Sequence, residues 1–218
     1  MDGQFAANQS SNAVVMLRRL ALPRVVKERC ELCNVTLEHN HRHLLKAADH
    51  NIICACDPCA LRFQDTVGGR FKLIPRDARA LPNFDMPDAE WESLSLPINL
   101  AYFQHNSMAG KTVAMYPSPA GATESQLSLS SWAGLAARNP ELAAMTPDTE
   151  ALLVNRIGKA REYFIAPIDV CYELVGLIRR HWRGLSGGDE IWEQIEKFFA
   201  RLREQCGVSR EVQEAAHA

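Results

Sequence analysis

Two Cys-x-x-Cys pairs, Cys30-Glu31-Leu32-Cys33 and Cys56-Asp57-Pro58-Cys59, restrict what the N-terminal part of this chain can fold into. Two intervening residues let both thiolates of a pair reach one ion from a single tight turn. A second pair completes a tetrahedral S4 shell, preferred by Zn2+ and also used by a single iron. Cys30, Cys33, Cys56 and Cys59 are the preferred ligands, because the pairing is symmetric and one metal suffices. Cys54 leaves a second set open. Residues two apart on a strand face the same side, so Cys54 and Cys56 can both point at the metal, giving Cys30, Cys33, Cys54 and Cys59. His41 or His43 can replace one thiolate; the plainer reading of these histidines is an exposed polar strand end.

The chain has 218 residues and seven cysteines, five of them between Cys30 and Cys59. A disulfide scaffold would be shorter and would spread its cysteines, so the clustering points to metal in a reducing compartment. Met1 to Ser11 lacks the basic start and apolar run of a signal peptide. No apolar stretch approaches the roughly 20 residues of a membrane span. The expectation is a cytoplasmic protein. A formal net charge of −2 makes no general case for nucleic acid or an anionic membrane as partner.

The order of local signals predicts an α+β protein. Residues 1–12 read as a disordered tail, and Asn12 to Val26 as a short helix ended near Pro23. His43–Ala47 and Asn51–Cys54 read as two strands turned at Ala48-Asp49-His50, and Pro58 opens a short helix to Phe63. Knuckle, hairpin and a helix whose first turn carries the second pair make a treble clef; a zinc ribbon, with both pairs on knuckles, is the close competitor. The zinc-binding module with its preceding helix takes 13–75. A proline-rich acidic linker takes 76–98, with Trp91 and Leu94 to bury. A mixed α/β domain of antiparallel strand pairs and C-terminal helices takes 99–206, and 207–218 is a flexible tail.

Within 99–206, Leu100–Phe103 with Thr112–Tyr116, and Leu152–Val154 with Glu162–Ile165, read as strand pairs. Ser131 to Asn139 reads as a helix stopped by Pro140, Asp169 as the cap of a helix to about Trp182, and Gly187-Gly188-Asp189 as the cap of a last helix to about Gln205. In that last helix Ile191, Trp192, Ile195, Phe198, Phe199 and Leu202 recur at helical spacing, which marks a buried face. A faint echo of basic residue, strand and proline suggests two strand–strand–helix units forming a sheet backed by helices.

A closed S4 zinc site has no open position and cannot activate water, so it is expected to be structural and the protein non-enzymatic. Iron in the same shell would carry one electron, as in rubredoxins. An HNH-like nuclease would use His41 or His43 as its base, but Ala60-Leu61-Arg62-Phe63 lacks the asparagine or second histidine that would hold a catalytic metal. Tyr116 to Ser125 reads as a loop of small residues that either forms a rigid turn or cradles an anion. Arg179, Arg180 and Arg183 make the link before the last helix a candidate partner-facing edge.

Cys30-Glu-Leu-Cys33, His41-Arg-His43-Leu44, Cys54-Ala-Cys56-Asp-Pro-Cys59, Tyr116-Pro-Ser-Pro-Ala-Gly-Ala-Thr-Glu-Ser125, Pro167-Ile-Asp169 and His181-Trp-Arg-Gly-Leu-Ser-Gly-Gly188 carry a resemblance. The chain resembles a bacterial family encoded beside the structural genes of actinobacterial-type nickel–iron hydrogenases. The resemblance transfers no catalytic residue. It implies an accessory factor for a metalloenzyme, acting in assembly, maturation or electron supply, with a hydrogenase subunit or maturation factor as partner.

Overall fold

A computed structural model describes residues 27–64, 69–125, 132–184 and 187–208. The helix expected at Asn12–Val26, the 1–12 tail and all but the start of 207–218 lie outside the described residues.

Three short strands form the first sheet: β1 (Arg42–Lys46), β2 (Ile52–Ala55) and β3 (Phe71–Leu73), antiparallel in the order β2-β1-β3. The hairpin turn falls where the polar run predicted it. The Asp49 carboxylate accepts from the Asn51 backbone and side-chain N–H groups, and His50 takes a left-handed φ of 55°. Alternation then divides the sheet. Leu44 and Ile53 face a small core with Cys30, Ala55 and Ala60, whereas Leu45 and Ile52 face the core of the larger domain. Helix α1 (Asp57–Phe63) starts directly after β2, with Cys56 as its N-cap residue and proline in its first turn.

The second sheet has six antiparallel strands: β4 (Arg79–Ala80), β5 (Leu100–Asn106), β6 (Lys111–Ser118), β7 (Gly121–Glu124), β8 (Glu150–Asn155) and β9 (Glu162–Pro167), ordered β4-β9-β8-β5-β6-β7. Every residue of β8 and β9 is buried, because both faces of the sheet are covered. Leu100, Tyr102, Leu153, Phe164 and Ala166 meet α4 (Ile168–His181) and α5 (Asp189–Gln205). Ala101, Phe103, Leu152, Val154, Tyr163 and Ile165 meet α2 (Asp88–Ser93), α3 (Trp132–Arg138) and a 3-10 turn at Pro140–Ala144. Two strand pairs with helices behind them are the antiparallel α+β architecture the sequence predicts.

Some local expectations need correction. Residues 116–125 are not a loop: β6 runs to Ser118, and β7 returns from Gly121. The Ser118 hydroxyl accepts from the Ala120 N–H and reaches the Gly121 carbonyl, so it is committed to the turn. Asp169 does not cap α4; Pro167 holds that position and Asp169 lies in the first turn. Trp192 belongs to the helical stripe of α5 but is exposed, packing edge-on against Trp182. Within 76–98, Trp91 and Leu94 are buried as expected, together with Leu81, Phe84 and Met86, and all five join the core under α3.

Asn139 ties that segment down. Its amide accepts from the Asp85 N–H and donates to the Asp85 and Leu135 carbonyls, in a site where Asn139 is 2 % exposed. Asn139→Ala leaves the partly buried Asp85 N–H without its partner and is expected to cost about 1–3 kcal/mol, read as a lower denaturation midpoint at unchanged slope.

The small sheet is docked rather than strung on. Leu45 and Ile74 belong to the core of the large domain. Lys72 of β3 reaches the buried Asp148 carboxylate at 2.5 Å, and the Ser107 N–H and hydroxyl donate to the same group. Burial opposes ionisation of Asp148, but these donors and the Lys72 charge outweigh it and hold its carboxyl below the usual range. A depressed acid stabilises the fold above its unfolded pKa of about 3.9, and that contribution is lost as pH falls through the lower folded value. Denaturation midpoints measured across that window should fall for the wild type. Asp148→Asn should be weaker at neutral pH and flatter towards acid.

Candidate metal centre

The first cysteine pair sits on a knuckle. Residues 31–33 turn, the Asn34 N–H donates to the Cys30 carbonyl, the Cys30 N–H donates to Val35, and Asn34 takes a φ of 64°. A bridge between Arg29 and Thr36 closes the loop. The second pair straddles the start of α1, with Cys56 at the N-cap and Cys59 one turn on. Knuckle, hairpin and helix therefore follow the treble-clef order, since the second pair sits on a helix start and not on a second knuckle.

These elements bring Cys30, Cys33, Cys56 and Cys59 together, with all four sulfurs within 4.8 Å of one another. Cys33 and Cys56 sulfurs lie 3.6 Å apart, close to the roughly 3.8 Å edge of a tetrahedral shell with zinc–sulfur bonds of about 2.3 Å. All four are free thiols. Leu44, Ile53, Ala55 and Ala60 pack beneath them. Cys30 is almost fully buried and Cys33 is exposed, so the cluster spans from the module core to its surface.

The electrostatics of the four sulfurs differ. Burial alone would push the Cys30 thiol up, but backbone N–H groups of Cys56, Cys33 and Leu32 aim at its sulfur and bring it down to about 6. Burial and the neighbouring cysteines push Cys59 up to about 12. One thiolate is prepared by the backbone; close packing keeps a neighbouring thiol protonated until a cation compensates. The donor set, its spacing and its dry floor fit a thiophilic ion of the Zn2+ or Fe2+ class.

The other residues weighed as ligands lie elsewhere. Cys54 does not share a side with Cys56, because β2 ends at Ala55 and the chain turns into α1. Cys54 instead pairs across the hairpin with His43. A ring nitrogen of His41, one of His43 and the Cys54 sulfur form a separate group, within 4.8 Å of one another. The His43 Nδ1 lies 2.6 Å from Asp169 Oδ2 in α4, a residue to which the sequence assigned only a capping role. No sequence signal pointed to this pairing, because the two residues lie 126 positions apart.

Among the described residues, no helix is long and apolar enough to cross a membrane. No curated protein matches the chain, and no solved structure does. Residues 29–206 match a family of unknown function, DUF5947, and this span includes both cysteine pairs, both sheets and every helix described, so the chain belongs to that family.

Proposed function

We propose that the protein is a non-enzymatic accessory factor whose S4 zinc centre rigidifies a protein-binding module. The observation that carries this reading is the convergence of four sulfurs into a shell with all four positions taken by protein. A closed shell leaves no site for water or substrate, so the metal's contribution is to fold and stiffness. Support for a binding role comes from the surface. Val35 on the knuckle and Leu61 and Phe63 on α1 are exposed large apolar side chains, all on the module that the metal would hold. The resemblance carried by Cys30 to Gly188 connects this role to assembly or maturation of a nickel–iron hydrogenase, with a subunit or maturation factor of that enzyme as partner.

Iron in the same shell would make the protein an electron carrier instead, and colour separates the two. Purified with both metals available, the protein is expected to contain zinc by elemental analysis and to be colourless. Visible absorption bands that bleach on reduction would assign the site to iron. A pull-down from the native host is expected to recover a hydrogenase component; recovery of unrelated proteins alone would remove that context while leaving the zinc module intact.

A further inference from the structure

We propose that His41, His43 and Cys54 form a second metal site, for a divalent ion of the Zn2+ class, with three protein ligands and a fourth position open to an exogenous donor. The site goes beyond the S4 centre and lies on the opposite face of the hairpin. Leu44 and Ile53 face the cysteine cluster, whereas the flanking His43 and Cys54 face the large domain. One ring nitrogen from each histidine and the Cys54 sulfur lie within 4.8 Å of one another. A tetrahedral zinc shell with ordinary bonds needs separations of about 3.3–3.6 Å, a closure that side-chain adjustment can supply.

Both rings are held in the form that metal ligation requires. The His41 Nδ1 lies 2.8 Å from the Glu38 carbonyl, which can only accept, so Nδ1 carries the proton. His43 Nδ1 donates likewise to the Asp169 carboxylate. In the neutral rings each Nε2 therefore presents a lone pair. Carbonyl–histidine and carboxylate–histidine arrangements are the outer shell found behind metal-bound imidazoles. The two rings meet edge to face, with centroids 4.8 Å apart.

An independent observation points to a missing partner. The His41 side chain is only 6 % exposed, and its Nε2 is buried with no hydrogen-bond partner. An orphaned buried nitrogen is costly, and a cation at that point would satisfy it. Cys54 is held in place from the knuckle: its N–H donates to the Glu31 carboxylate, and its carbonyl accepts from the Glu31 N–H. Glu28 lies 3.5 Å from His41, so the surroundings are negative. His43 and Cys54 are partly exposed, which leaves a path for metal entry.

The test loads the purified full chain with Zn2+ or Co2+ and counts bound metal. Two equivalents are expected for the wild type. His43→Ala and Cys54→Ser should each keep one equivalent, with a cobalt spectrum of pure sulfur ligation. Asp169→Asn, which retains all three ligands, should weaken only the second equivalent, by about 10–100-fold. One equivalent in the wild type that survives His43→Ala but is lost in Cys33→Ser would overturn this site and leave the S4 reading standing. One equivalent that survives Cys33→Ser but is lost in His43→Ala would support this site and remove the S4 reading.

Discussion

Cys30→Ser is expected to abolish metal binding at the S4 cluster and to unfold the knuckle and α1. Cys30 is the most buried of the four cysteines, and backbone N–H groups of Cys56, Cys33 and Leu32 converge on its sulfur. A serine hydroxyl does not replace a thiolate on zinc. Structural zinc contributes about 10–16 kcal/mol in small zinc-dependent folds. The core beneath the cluster is small, and its largest buried side chains, Leu44 and Ile53, contribute about 1.5–3 kcal/mol each. That core cannot hold the knuckle and α1 alone. Leu45, Ile52 and Ile74 still anchor the hairpin to the large domain, so the damage should stop there. Hydrogen exchange provides the readout. Amides of the knuckle and α1 should lose protection in Cys30→Ser, or after chelation of the wild type, while β8 and β9 keep theirs. Unchanged protection in the knuckle and α1 would mean that the module folds without metal, and the structural role would be lost.

Arg203→Ala is expected to be the most damaging single change outside the module. Arg203 in α5 makes an ion pair with Glu162 at the start of β9, and both side chains are buried. The second Glu162 oxygen accepts from Asn155 at the end of β8, and Arg203 also reaches Glu196 at 2.9 Å. The network closes one end of the sheet against the last helix. Removing the guanidinium leaves Glu162 charged, 2 % exposed and short of a partner. Breaking a buried pair in this way costs about 3–5 kcal/mol, or roughly 6–20 °C in thermal midpoint for a chain of this size. The double variant Glu162→Gln with Arg203→Met should recover much of the loss, because neither residue is then a stranded charge. If the double variant is as unstable as Arg203→Ala, shape and not charge governs this position.

Local chemistry made a good part of the fold legible. The polar run Ala48-Asp49-His50 marks the hairpin turn, Pro58 marks the start of α1, and the stripe from Ile191 to Leu202 marks the buried face of α5. Each signal acts over one or two turns of chain, so sequence neighbours suffice to read it. The β6–β7 hairpin was hidden because Pro117 looks like a strand stop. Pairing with β5 covers Lys111 to Met115, so Pro117 lies beyond it and faces only Ala122 of β7. A missing N–H is tolerated there, where no second neighbour needs it.

The metal centre divides along the same line. Spacing alone grouped Cys30 with Cys33 and Cys56 with Cys59, because two residues of separation let a single turn aim both sulfurs. Which pairs converge, and which nearby ligands stand apart, depended on where β2 ends. One residue past Ala55 the chain leaves the sheet, and this sends Cys56 to the cysteine cluster and Cys54 to the histidines. The partner of His43 lies 126 residues away on α4, and only docking of the small sheet on the large domain brings them together. By itself the sequence determined the donor types, the local turns and the α+β class, all properties of short stretches of chain. The tertiary structure alone decided that the seven-ligand pool separates into a closed sulfur cluster and a mixed one, since strand register and long-range packing aim side chains that spacing cannot.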